Sequence, residues 1–172
     1  QYDPWFGFEM EFFIINPTTG LPIGFKPGET APEQGKFYCS ANTLGRDVIE
    51  CHYKACLYAG IGVSGINAEV ACGQWEYQVF GKGMDAPDDA WMSRYILDRV
   101  CEKFSLEASW DPKPIQGDCN GSGMHTNFST NAMRGKGGLA YINEAVAKLE
   151  KNHDSHIMVY GEGNERRLTG QH

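Results

Sequence analysis

An α+β arrangement, one sheet with helices packed beside it, is the fold class that three features of this 172-residue chain predict. Segments 5–15 and 74–79 alternate with the period of a strand. Segments 47–59, 90–104 and 139–151 carry apolar residues at helical spacing. Strands and helices follow one another without the regular βαβ rhythm of a parallel sheet.

The first strand places Phe8, Met10, Phe12 and Ile14 on one face, and Glu9 and Glu11 on the other with Trp5, Phe13 and Ile15. Residues 16–35 are rich in Pro and Gly and read as a long loop. A helix over 47–59 presents Val48, His52, Ala55, Cys56 and Ala59, and Gly60 ends it. A strand follows at 62–66, then 74–79, with Trp75, Tyr77 and Val79 opposite Gln74, Glu76 and Gln78. The helix over 90–104 aligns Met92, Ile96 and Val100 beside Leu97 and Cys101, and Asp88 or Asp89 is positioned to cap it. A short strand at 108–110 is stopped by Asp111-Pro112-Lys113-Pro114. The last helix, 139–151, has Leu139, Ile142, Ala145, Val146 and Leu149 on one stripe, which reads as a core face.

Composition narrows the class further. A chain that is 41% hydrophobic and 22% charged has the balance of a globular domain. The net charge of −7 and a pI near 5.2 argue against a nucleic-acid or anionic-membrane surface. No apolar run approaches the roughly 20 residues of a membrane span. Six irregularly spaced cysteines, without a C-x-x-C pair, match neither a zinc site nor a disulfide framework. Reduced thiols in a cytoplasmic compartment fit them, with a plastid as the alternative. The chain opens at Gln1, without Met, signal or transit peptide, which reads as an N-terminus lying further upstream.

Glu9 and Glu11 repel each other on a largely apolar surface and resist desolvation. A divalent cation with oxygen ligands would neutralise them, whereas a strand face turned to water would leave them solvated. Glu69 follows a strand in an apolar setting, and Glu76 lies seven residues on, so a reversal between them would aim both at one ion. Asn120-Gly121-Ser122-Gly123-Met124-His125 combines close-approach glycines with an imidazole. Arg166-Arg167 suits carboxylate or phosphate clamping. Singly, each has a plain structural reading: a solvated strand Glu, a hydrogen-bonded His, solvated His153 and His156 on a polar helix end, and at 134–138 a helix-entry loop in place of a phosphate site. Jointly, four carboxylates and one imidazole suit two hard divalent ions, Mg²⁺ or Mn²⁺, the arrangement that stabilises phosphoryl transfer. No G-x-x-x-x-G-K-[ST] P-loop is present.

The stretches carrying these residues resemble the catalytic domain of glutamine synthetase, of the eukaryotic type. They are Trp5 to Glu11, Gly45-Arg46-Asp47 with His52 to Gly60, Asn67 to Val70 and Gln74 to Gln78. Asp111 to Pro114, Asn120 to Thr130 and Arg166 to Gly170 complete the series, in the family's order. The resemblance implies a largely antiparallel, curved sheet with flanking helices. It implies that Glu11, Glu69 and Glu76 hold the metal near glutamate, and that Glu9 and His125 hold the metal near the nucleotide phosphates. Asn120 and Gly121 would contact glutamate, with Arg167 nearby. Asn127, Phe128, Ser129 and Glu76 would lie at ATP. Glu11, Glu69, Glu76 and Arg167 form the implied catalytic set. The implied reaction activates L-glutamate with ATP to γ-glutamyl phosphate, which ammonium converts to L-glutamine.

By the same resemblance, residues 1–172 form part of a catalytic domain, without the family's N-terminal β-grasp domain or its C-terminal part. A chain lacking them is expected not to turn over. The parent would be a homo-oligomeric ring, a decamer in the eukaryotic type. Departures are local. The loop at 30–36 is longer and more polar than the family's, segment 81–84 lacks the usual Pro-Cys, and Cys119 stands where Trp is usual. A ligase of this fold using another amine, and a non-catalytic structural relative, are the rival readings. Five retained metal-ligand residues count against the second.

Overall fold

The computed structural model describes residues 2–35 and 43–170. Cys39, Lys36 at the end of the long loop, and His172 lie outside the described residues.

One long strand organises the sheet. β1 (Trp5–Asn16) pairs along one edge with β4 (Gln74–Lys82), in a register that sets Glu11 opposite Glu76, and beyond it with β2 (Leu21–Pro22). Along the other edge it pairs with β6 (Met124–Ser129), with Glu9 opposite His125, and with β5 (Glu107–Ser109). β3 (Val63–Ala68) closes a hairpin with β4, setting Asn67 opposite Glu76. All these pairings are antiparallel, so the α+β expectation and its antiparallel sheet hold.

The alternation of β1 divides the molecule into two faces. Phe8, Met10, Phe12 and Ile14 are buried with Trp75, Tyr77 and Val79 of β4. Two helices cover that face: α1 (Arg46–Tyr58) through Val48, Ile49 and Cys56, and α2 (Asp85–Lys103) through Ala86, Ala90, Leu97, Val100 and Cys101. α1 ends as expected, the N–H groups of Gly60 and Ile61 returning to the carbonyls of Leu57 and Cys56. On the opposite face Phe13 is buried with Ala71 and Cys119 in a smaller cluster. Two residues along, that face becomes acidic at Glu11 and then Glu9.

Six sequence expectations are corrected. The long loop contains β2, which turns back on the end of β1. β6 was not anticipated: only Met124 and Phe128 of its six residues are apolar, and both are exposed. α2 begins at Asp85 rather than Ala90, since Pro87 falls in the first turn, where no intrahelical donor is needed. Its N-cap is therefore Met84, without a side-chain cap, in place of Asp88 or Asp89. The buried stripe runs through Ala86, Ala90, Ser93, Leu97, Val100 and Cys101, leaving Met92 exposed.

The sixth concerns α4 (Gly138–Lys151), which follows the short α3 (Asn131–Arg134) and forms where the periodicity places it. Its apolar stripe is nonetheless exposed: Leu139 at 68%, Ile142 at 43%, Val146 at 58% and Leu149 at 44%. Helical periodicity shows that a face is apolar, not that its cover lies within the same residues. Short helices α5 (His153–Ile157) and α6 (Asn164–Arg167) complete the order. No helix among the described residues is long and apolar enough to cross a membrane. The five described cysteines are unpaired thiols.

His52 is fully buried between α1, α2 and β4. Its Nε2 lies 3.0 Å from the Ser93 carbonyl oxygen and its ring meets Tyr77 edge-on at 4.6 Å, while Nδ1 has no partner. Burial pulls its pKa from 6.5 to about 4. The unfolded chain therefore binds the proton more tightly, and the stabilisation present above pH 6.5 is lost as pH falls towards 4. The loss attributable to His52 is on the order of 3 kcal/mol. Urea unfolding of wild type and His52→Gln tests this: the gap between their stabilities should shrink by about that amount from pH 7 to pH 4, and a constant gap would contradict it.

Candidate metal and substrate site

Strand register assembles the acidic cluster. Glu11 and Glu76 face each other across β1 and β4. Glu69 follows β3 at the start of the reversal into β4, its N–H bonded to the Gln74 carbonyl at 3.0 Å. One carboxylate oxygen from each of Glu11, Glu69 and Glu76 lies within 4.8 Å of the others. Glu76 is buried and the other two are partly buried.

The cluster is held by neutral donors. The Gly123 N–H donates to Glu11 Oε2 at 2.7 Å, and the Val70 N–H to Glu69 Oε2 at 3.2 Å. Asn67 Nδ2 donates to Glu69 Oε1 at 3.3 Å and to Glu76 Oε2 at 3.2 Å, and Gln78 Nε2 donates to Glu76 Oε1 at 2.9 Å. Burial raises the pKa of Glu11, with Glu76 adding to it. Burial, then the Glu76 contact, raises Glu69 to about 7. Oxygen-rich, partly desolvated and short of positive charge, this donor set fits a hard divalent cation.

Glu9 belongs to a second, more open cluster on the same face. His125 Nδ1 lies 3.0 Å from Glu9 Oε2, and Asn127 Nδ2 donates to Glu9 Oε1 at 2.7 Å. The Asn127 bond, then His125, lowers the Glu9 pKa, and the Glu9 contact raises that of His125. His125 is exposed and free to offer its other ring nitrogen outward. Ser129 accepts from Arg134 Nη1 at 2.8 Å. Phe128 pairs with Phe6, so its ring lies on the opposite face from Glu9, His125 and Asn127.

The segment before β6 forms the floor between the clusters and the chain's end. Asn120 Nδ2 donates to Gln74 Oε1 at 2.8 Å, Gln74 Nε2 to the Gly121 carbonyl at 2.9 Å, and the Asn120 N–H to Gln34 Oε1 at 2.6 Å. Lys113, buried, donates to the Cys119 carbonyl. Arg167 crosses Gly121 so closely that a Cβ there would stand 2.8 Å from its Cγ and 2.7 Å from the Pro112 carbonyl oxygen. The same guanidinium lies near Gly123 and acts on the Glu11 charge. The two arginines thus separate: Arg166 pairs with Asp111 at 3.0 Å, away from the acidic cluster.

Glu9, Glu11, Glu69, Glu76, His125, Asn127, Asn120, Gly121 and Arg167 therefore gather around one sheet face, whereas Phe128 and Arg166 do not. Sequence reasoning passed over Asn67, Gln78, Gln74 and Gln34. Asn67 and Gln78 were accessible to it, since each lies two residues from a site glutamate along an extended segment, which places both on the acidic face.

The raised Glu69 pKa has a consequence for the metal-free protein. Its carboxyl holds a proton more firmly folded than unfolded, so this group favours the fold at low pH and that advantage is lost as pH rises from 4.5 through about 7. Glu69→Gln removes the group. With EDTA present, its urea midpoint should rise relative to wild type between pH 5 and pH 8; a pH-independent difference would contradict the assignment.

Comparison with known proteins places this geometry. Residues 1–152 match the family model described as glutamine synthetase, catalytic domain. The chain is 51% identical over 174 residues to glutamine synthetase cytosolic isozyme 2 of Glycine max, covering 99% of this chain and 49% of that protein. It is 54% identical over 175 residues to the cytosolic isozyme of Chlamydomonas reinhardtii, covering 99% and 46%. The chain spans about half the length of the curated relatives it matches. Among solved structures, apo GmaS without ligand superposes with a TM-score of 0.61 at 29% identity, over 76% of this chain and 31% of that one. A GmaS/ADP complex gives 0.60 at 26% identity, over 76% and 30%. By sequence over most of its length and by fold, this chain belongs to the glutamine synthetase catalytic-domain family.

Proposed function

We propose that residues 1–172 supply metal- and substrate-binding groups of a glutamate–ammonia ligase, which joins ammonium to L-glutamate at the expense of ATP through γ-glutamyl phosphate. The observation that carries this reading is the Glu11–Glu69–Glu76 cluster, in which one carboxylate oxygen of each residue lies within 4.8 Å of the others, in a chain of this family. Glu11, Glu69 and Glu76 would hold one Mg²⁺ or Mn²⁺, and Glu9 with His125 a second. Bound there, two such ions would supply the positive charge that screens glutamate from the transferring phosphate.

The chain's own groups account for orientation. Arg167, over Gly121 and beside Glu11, is placed to draw an anionic carboxylate towards the cluster. Asn120 and Gly121, fixed by Gln74 and Gln34, offer a rigid rim for the same substrate. Asn127 and Ser129, with the Phe128 backbone between them, line the Glu9 side, where ATP would present its phosphates to His125. The solved GmaS/ADP complex supports a nucleotide on this fold. Plant and algal relatives named cytosolic isozymes support a cytoplasmic setting. A subunit of the relatives' full length would assemble as a homo-oligomeric ring.

Calorimetric titration with MnCl₂ tests the metal assignment in the chain itself. Saturable binding is expected, weakened at least about tenfold by Glu69→Ala and, independently, by His125→Ala; unchanged binding in both would refute it. In a subunit of the relatives' full length carrying these residues, ATP- and Mn²⁺-dependent formation of γ-glutamyl hydroxamate is expected, and Glu69→Ala should lower it by about 100-fold or more. Full activity in that variant would reject the mechanism.

A further inference from the structure

Two amide side chains, Asn67 and Gln78, hydrogen-bond to carboxylate oxygens of the acidic cluster. An amide nitrogen carries two donor hydrogens and its oxygen only accepts, so one well-placed partner fixes which way the group faces. Gln78 Nε2 donates to Asn67 Oδ1 at 2.8 Å, which turns Asn67 Nδ2 towards Glu69 and Glu76. The same Gln78 nitrogen donates to Glu76 Oε1. Both Glu76 oxygens and one Glu69 oxygen are thereby held by two linked amides. Their neutrality matters: Lys or Arg would orient the carboxylates equally well but would repel an incoming cation.

The fold reserves room for this relay. Gly65 lies opposite Gln78 on β3, and a Cβ there would stand 2.6 Å from Gln78 Oε1. The space that any side chain at position 65 would take is filled by the Gln78 amide. The obstacle is the tip of a flexible side chain and not backbone, so Gly65→Ala would displace the amide while sparing the strand.

We propose that Asn67 and Gln78 are positioning residues, given their place by Gly65, that hold Glu69 and Glu76 in the orientation a divalent cation requires. The inference rests on the reading of Glu11, Glu69 and Glu76 as cation ligands. Losing an outer partner of a ligand characteristically lowers metal affinity about 10- to 100-fold.

Free Mn²⁺ is followed by its electron paramagnetic resonance signal in titrations of wild type, Glu69→Ala, Gly65→Ala, Gln78→Met and the double variant Gly65→Ala/Gln78→Met. Affinity is expected to fall about 10- to 100-fold in each single variant, with urea midpoints of Gly65→Ala and Gln78→Met close to wild type. The double variant should bind no worse than Gln78→Met alone, because both changes remove the same amide. If Glu69→Ala weakens binding but Gly65→Ala and Gln78→Met stay within twofold of wild type, the positioning role is overturned and the metal site stands. If Glu69→Ala binds Mn²⁺ as wild type does, both are overturned. Should Gly65→Ala fail to fold, Gln78→Met decides.

Discussion

Three carboxylates held within 4.8 Å of one another are the constraint on which the rest of this structure depends. At an effective dielectric of about 20, two ionised groups at such a spacing repel by about 3 kcal/mol. Left on loops, they would move apart. Here Glu11 and Glu76 are fixed on paired strands whose other faces, Phe12 and Met10 on one side and Trp75 and Tyr77 on the other, are locked in the main core. A one-residue slip would carry the carboxylates into that core and bring its aromatics out. Burial on one face thus sustains electrostatic strain on the other.

β1 also sets the scale of the site. Glu9 and Glu11 point the same way and, at about 3.4 Å per residue, lie about 7 Å apart along the strand. Their surroundings differ sharply. Glu11 is enclosed by Glu69, Glu76 and the Gly123 N–H, and burial raises its pKa. Glu9 meets Asn127 and an exposed His125, which lower its own. One strand thereby presents two acidic clusters of different character at a fixed separation.

Much of this was legible in the sequence, and the limits have physical causes. The faces of β1 and β4 follow from period two alone, because both strands are central and their alternation reports real burial. The grouping of Glu11, Glu69 and Glu76 needed the β3–β4 hairpin, and the short interval from Glu69 to Glu76 made that reversal foreseeable. β6 escaped notice because its residues are exposed or partly exposed, so none of them reports a core face. The α2 start was misplaced because proline in a first turn resembles a helix breaker. The α4 stripe shows the opposite failure: the helix is right, yet Leu139, Ile142, Val146 and Leu149 are exposed. Arg166 and Arg167 are adjacent in sequence but serve different partners, and only the turn of α6 decides which one reaches Glu11.

Diffraction from crystals of the chain soaked in MnCl₂, recorded for manganese anomalous signal, tests the central claim most directly. The account predicts one peak at coordination distance, about 2.0–2.3 Å, from oxygens of Glu11, Glu69 and Glu76, and a second beside Glu9 and His125. Soaked crystals with no peak at the triad, or with manganese only at sites such as His153 and His156, would contradict it.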